Sequence, residues 1–279
     1  MTGRAMRMGV ILPGGTATEQ LEQAVLAERA GWDGVFAWEA AYGIDAWSLL
    51  AAKAARTNRV RLGTLLTPLP WRRPWKVASQ VATVDRISGG RAVLTVGLGA
   101  ITDDLPSTGE VADLKGRAER LDDGIDLIRT LWEGGTSYHG RHYDYEAGEM
   151  DELTEMGAPL RPRIPIWVVG AWPRPKSRSR VLRCEGVVPQ YEGLGYDAQP
   201  EEARAVRAWL DEREGSDLDL VAQGETQADD PAAARAKVEK WAEAGCTWWL
   251  ETRWELPHGS AERMEQVRER LAAGPPRSR

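Results

Sequence analysis

The chain has 279 residues, 42% hydrophobic and 28% charged, with a formal net charge of −6. These proportions describe an ordinary globular chain and exclude a disordered, collagen-like or membrane-spanning one. The acidic balance also excludes a surface built to attract nucleic acid or anionic lipid. Two cysteines, Cys184 and Cys246, match a reducing cytoplasm, and tryptophan dominates the aromatic residues, 13 against 6 Tyr and 1 Phe. The basic N-terminus is followed by an apolar run, Met8–Leu12, too short for a signal peptide, and no window approaches ~18 consecutive apolar residues. A cytoplasmic protein without membrane or nucleic-acid partners is expected.

In chain order, Met8–Leu12 reads as a strand that stops at Pro13-Gly14-Gly15. Thr16 and Glu19 form a capping box for a helix ending at Gly31. Strand two is Gly34–Trp38; Asp45 caps the helix Ala46–Thr57; strand three is Val60–Thr67. Pro74 opens a helix to Ser88, and Gly89-Gly90 turn the chain into strand four, Arg91–Gly97. A long amphipathic helix, Lys115–Trp132, carries Leu121, Ile125, Ile128 and Leu131 on one face. The segment 133–162 breaks the rhythm with a hairpin turning at Gly140. Strand five is Ile164–Val169 with a short helix to Cys184; strand six is Val187-Val188, followed by the helix Glu201–Arg213. Strand seven, Leu218–Gln223, leads to helix Pro231–Ala244, and strand eight, Thr247–Thr252, to helix Ala261–Ala272.

Eight strand–helix alternations predict an α/β fold, a single-domain (β/α)8 barrel over residues 1–279 with a loose tail at 274–279. In such a barrel chemistry belongs at the C-terminal ends of the strands. That rim is rich in glycine and carries Trp38, Trp71, Trp172 and Trp254, which would wall a pocket for an aromatic ring. Arg174, Lys176 and Arg178 open the helix after strand five and make it a candidate anion site. His139 and His142 have metal-ligand spacing but no complete ligand set, so no metal is expected. Gly97-x-Gly99 lacks the rest of a dinucleotide fingerprint.

Several segments match a known family: Val60-Arg61-Leu62-Gly63-Thr64-Leu65-Leu66-Thr67-Pro68-Leu69, Arg73-Pro74, and Ala82-Thr83-Val84-Asp85-Arg86-Ile87-Ser88-Gly89-Gly90-Arg91. Thr95-Val96-Gly97-Leu98-Gly99, Arg117-Ala118-Glu119-Arg120-Leu121-Asp122, Gly140-Arg141-His142-Tyr143, Pro165–Gly170 and Glu185–Pro189 follow in order. Together, over roughly residues 8–255, they resemble the bacterial luciferase-like flavin oxidoreductases. The resemblance implies a TIM barrel binding reduced FMN, or the deazaflavin coenzyme F420, at the C-terminal rim. The ring is expected against Leu66-Thr67, at a bulge with a non-proline cis peptide. Gly97, Leu98 and Gly99 with Val169, Gly170, Ala171 and Trp172 would line the ring edge and phosphate side, where Arg174 and Ser177 stand in for the family's usual phosphate holders. A homodimer is implied as well.

The function expected is that of a flavoprotein oxidoreductase of the monooxygenase type acting on a small organic substrate, with a flavin reductase as a partner. Glu39 is the candidate for proton transfer. Trp38, Trp71 and Trp254 would shape the substrate side, and Arg72 or Arg253 would orient an anionic group. Ala100, where deazaflavin enzymes often carry a polar residue, favours FMN over F420. Trp172-Pro173 in the phosphate segment keeps open another class, a barrel that has lost its redox cofactor and serves as a ligand-binding protein.

Overall fold

A computed structural model describes residues 5–12, 14–40, 43–100, 109–148, 158–160, 163–252 and 261–277. Residues of strands β1 (Arg7–Leu12), β2 (Gly34–Ala37) and β3 (Arg61–Thr64) lie side by side and parallel, followed by β4 (Thr67–Pro68) and β5 (Ala92–Gly97). After the antiparallel hairpin β6 (Ser137–His139) and β7 (Asp144–Glu146), parallel pairing resumes through β8 (Ile166–Trp172), β9 (Gly186–Tyr191), β10 (Asp219–Gly224) and β11 (Trp248–Glu251). β11 pairs back onto β1 and closes the barrel. With β3 and β4 as two parts of one interrupted strand, this is the expected eight-stranded parallel barrel. No helix among the described residues is long and apolar enough to cross a membrane.

Eight α-helices among the described residues surround it: α1 (Ala17–Arg29), α2 (Ala46–Arg56), α3 (Pro74–Ser88), α4 (Leu114–Trp132), α5 (Pro175–Val181), α6 (Pro200–Asp211), α7 (Pro231–Glu243) and α8 (Ala261–Ala272). Local chemistry starts them where the sequence indicates. Thr16 and Glu19 make a complete capping box for α1, and the Asp45 carboxylate accepts from Ser48 N at 2.7 Å at the start of α2. Gly89, with φ of 70°, ends α3 in the left-handed conformation that a side chain would disfavour.

The expectation of one continuous third strand is corrected. Gly63 pairs with Val93 and Thr67 with Val96, so this strand inserts one extra residue against β5. Leu65 and Leu66 form the resulting bulge, and the non-proline cis peptide lies at Leu65–Leu66, one residue before the expected position. The tail expected to be loose is held as far as Arg277. Arg270 donates to the Gly274 carbonyl at 2.8 Å, and Arg277 pairs with Asp33.

Two apolar clusters divide the interior. The larger lies between barrel and helices; the smaller fills the barrel with Ile11, Phe36, Leu65, Val93, Trp167, Val188, Val221, Trp248 and Leu250. At the N-terminal end of the barrel, Phe36, Trp167 and Trp248 pack in mutual contact, with ring centroids 5.2–6.0 Å apart. Glycines on adjacent strands provide the room: a Cβ on Gly9 would stand 3.1 Å from the Phe36 ring, and one on Gly186 2.6 Å from Trp167. Each large ring therefore occupies volume that its neighbouring strand leaves free, and this end of the barrel is plugged.

Candidate functional site

The opposite end is open. A cavity of about 730 Å³ lies at the C-terminal mouth, a size suited to a cofactor or drug-sized ligand. Leu65 and Leu66 of the bulge, Leu98, Val169, Ala171, Pro189 and Val221 give it aliphatic walls. Its polar groups are few: Gln190, Gln223, the Tyr191 hydroxyl, and Arg174 with Glu192 at the rim. Arg174 and Glu192 form a two-armed ion pair at 2.5 and 3.2 Å, which pushes the arginine above and the carboxylate below their ordinary pKa values. Both side chains are about half exposed, so the pair is free to exchange for other charged partners.

The bulge is anchored from behind. Thr67 Oγ1 donates to Glu39 Oε2 at 2.8 Å and accepts from Trp47 Nε1 at 3.0 Å. Glu39 Oε1 pairs with Arg72, whose other arm reaches Gln80 Oε1 at 2.7 Å. Burial lowers the Arg72 pKa from its ordinary value, while only 5% of the Glu39 side chain is exposed. Chain segments from β2, the bulge, α2 and α3 thus meet on one buried carboxylate. Leu66 is pressed onto Gly97, where a Cβ would stand 2.7 Å from Leu66 Cδ2. Arg117 of α4 donates to Gly99 O at 2.9 Å and fixes the chain leaving β5.

Of the residues singled out in the sequence, Leu66, Leu98, Val169, Ala171 and Arg174 line the cavity together. Glu39, Thr67 and Arg72 form the network beneath it, and Gly97 backs Leu66. Gly170 faces the helix layer, with Val181, Val187 and Ser177 the nearest side chains to a Cβ there. Ser177 is half-buried in α5, outside the cavity lining. The tryptophans depart from the expected wall. Trp172 stacks edge-on against Trp209, with the Arg178 guanidinium 5.6 and 5.5 Å from the two ring centroids. Trp71 covers Gly99, and its Nε1 reaches Val111 O at 3.4 Å. Trp38 borders a separate hollow of about 450 Å³ with Gly14, Gly15 and Ile44. Alternation along a strand decides this, because a residue at the end of a strand is as free to face the helices as the mouth. Arg253, Trp254 and Pro13 lie outside the described residues.

His139 has carboxylates on opposite ring nitrogens, Asp144 at 3.3 Å and Glu146 at 3.0 Å, and His142 bonds to Glu119 at 3.1 Å. No cluster among the described residues has metal-binding geometry. Pro189, Gln190 and Gln223 lie at strand ends, and the sequence reading passed over the segment Tyr191–Ala198, which supplies Tyr191, Gly193, Gly195 and Ala198 to the lining. The glycines directly after strand six were the available signal.

Aliphatic walls, sparse polar groups and a rim cation fit a flat tricyclic ring with an anionic side arm, as in a flavin or deazaflavin. Comparison with known proteins agrees with this chemistry. A Mycobacterium tuberculosis protein provisionally named a coenzyme F420-dependent oxidoreductase is 31% identical over 235 residues, 78% of this chain and 65% of that one. The F420-dependent glucose-6-phosphate dehydrogenase of Amycolatopsis mediterranei is 33% identical over 151 residues, 50% of this chain and 45% of the enzyme. The chain thus spans between about half and two thirds of the length of these relatives. In fold it is similar to a monooxygenase from Streptomyces bottropensis, with a TM-score of 0.76, 19% identity, and coverage of 96% of this chain and 98% of the other. The model of the luciferase-like monooxygenase family matches residues 6–278, and the chain belongs to that family.

Proposed function

We propose that this protein is an oxidoreductase that binds a deazaflavin, coenzyme F420, at the mouth of the barrel and acts on a small organic substrate. The observation that carries the reading is the apolar cavity built on the Leu65–Leu66 bulge, in a chain whose relatives are named for F420. The same cavity chemistry accommodates FMN, which Ala100 favours in the sequence, so the two cofactors are the two arms of the test.

In this reading the cofactor supplies the redox chemistry. Leu65, Leu66, Leu98 and Val169 would hold the ring between aliphatic walls and keep water out. Gln190 and Gln223 offer amide donors and acceptors in the cavity, and Arg174 would hold the anionic side arm in place of Glu192. Glu39 holds the bulge through Thr67, and its ion pair with Arg72 keeps it engaged. Proton transfer by Glu39 therefore requires Arg72 to move first. A homodimer formed through the helix layer, and a separate reductase as the source of reducing equivalents, belong to the same proposal; light scattering on the purified protein tests the first.

Titration of the purified protein with F420 and with FMN, followed by tryptophan emission, tests the cofactor. Trp241 borders the cavity and serves as the reporter. Saturable quenching by F420 at micromolar concentration, with FMN at least tenfold weaker, is expected. Tighter binding of FMN overturns the deazaflavin reading, and no quenching by either leaves the barrel as a ligand-binding protein without a redox cofactor.

A further inference from the structure

The cavity at the mouth extends beyond the barrel interior. Val221 and Ala222 are consecutive residues of β10, so their side chains leave opposite faces of the sheet. Val221 belongs to the barrel cluster and Ala222 to the helix-layer cluster, yet both line the same cavity. Tyr191 behaves like Ala222: it packs against the helix-layer core while bordering the cavity. The space therefore passes over the ends of β9 and β10 and continues outside the barrel. There Ala198, just before α6, and Trp241, on α7, complete the walls, with Gly193 and Gly195 from the intervening loop.

This outer compartment differs in chemistry from the mouth. Its lining of Tyr191, Gly193, Gly195, Ala198, Ala222 and Trp241 contains no ionisable carboxylate, amine or guanidinium. Burial pushes the Tyr191 hydroxyl up, so that it stays neutral. The charged groups of the cavity, Arg174 and Glu192, stand at the rim. An anionic cofactor arm placed in the outer compartment would lose its solvation without gaining a partner there. Two alanines, Ala198 and Ala222, leave the space open, and two aromatic residues border it.

We infer that this outer compartment is a substrate subsite that receives the alkyl chain or aryl ring of a neutral substrate whose reacting carbon lies at the mouth. The inference rests on the reading of the mouth as the cofactor's place. It assigns the two parts of the cavity to different ligands: the aliphatic mouth and its rim charges to the cofactor, and the Tyr191–Trp241 compartment to the substrate's apolar group.

The test uses phenylnaphthylamine, a neutral fluorescent probe, displaced by straight-chain methyl ketones of increasing length, with F420 titrated separately. In the wild-type protein the ketone affinity is expected to rise about fourfold per added methylene until the compartment is filled. Ala198→Trp, which fills the compartment from the loop side, flattens that ladder and weakens the longest ketone at least tenfold, while the F420 dissociation constant stays within twofold. Ala198→Leu is measured alongside, so that a folding defect in the tryptophan variant leaves the comparison decidable. Affinities independent of chain length in the wild type, or a ladder that both variants leave intact, overturn the inference. Loss of F420 binding in the wild type with the ladder preserved overturns the cofactor assignment and leaves the apolar subsite standing.

Discussion

The two ends of the barrel are lined by the same kind of side chain and have opposite fates. At the N-terminal end Phe36, Trp167 and Trp248 meet ring to ring, and glycines on adjacent strands let them fill the interior. At the C-terminal end Leu65, Val169 and Val221 carry no such rings, and they border a cavity. Hydrophobicity alone does not separate a core from a binding site; the volume projected from facing strands does. Polar investment follows the same division. The indole N–H groups of Trp167 and Trp248 find no acceptor among the described residues, so the plug is held by packing. The mouth is underlain by the Trp47–Thr67–Glu39–Arg72–Gln80 chain of hydrogen bonds.

Variants that exchange the properties of the two ends test this contrast. The largest effect is expected from Trp167→Ala, which opens the plug and costs about 3–5 kcal/mol in urea unfolding, with F420 affinity of the folded fraction retained. A loss below ~1 kcal/mol would show that the rings are not essential packing. Glu39→Gln leaves the half-buried Arg72 without its counter-charge. A destabilisation of about 2–3 kcal/mol is expected, together with at least tenfold weaker F420 binding because the bulge loses its anchor. Unchanged affinity would dissociate the buried network from the site. Gly97→Ala places a methyl group against Leu66 and costs about 1–2 kcal/mol by overpacking. Fluorescence titration should then show roughly tenfold weaker F420 binding, through displacement of the ring's support; a neutral result on both counts would mean that Leu66 is free to move. Arg174→Gln has the smallest expected effect: no measurable change in Tm, a severalfold weaker F420 dissociation constant, and a reduced dependence of that constant on salt. An affinity that remains as salt-sensitive as in the wild type removes Arg174 from the anion site.

Much of the architecture was legible because its signals are local. The capping box at Thr16, the Asp45 cap, Pro74 opening α3 and Gly89 closing it each act through groups a few residues apart. The alternation of eight such units with apolar strands left a parallel barrel as the natural solution, and the segments matching the family located strand three and the chain after β5 at the site. Leu66, Leu98, Val169, Ala171 and Arg174, expected from the sequence at the cofactor, line one cavity. Trp38, Trp71 and Trp172 lie outside that lining, because a rim position read from chain order does not reveal which way a strand end faces. Trp172 turned outward to Trp209, while Trp167 and Trp248 became the plug.

By itself the sequence determined the order and type of the elements, the closed α/β architecture and the family, all carried by short-range hydrogen bonding and periodicity. Only the tertiary structure decided that Glu39 and Arg72, 33 residues apart, neutralise one another beneath the bulge. It also decided that Lys53, in an alanine-rich stretch of α2, is fully enclosed, with burial lowering its pKa to about 7. The continuation of the cavity over β9 and β10 to Trp241 was decided in the same way. Each of these depends on side chains from distant segments sharing one volume, and that volume exists only once the barrel has closed.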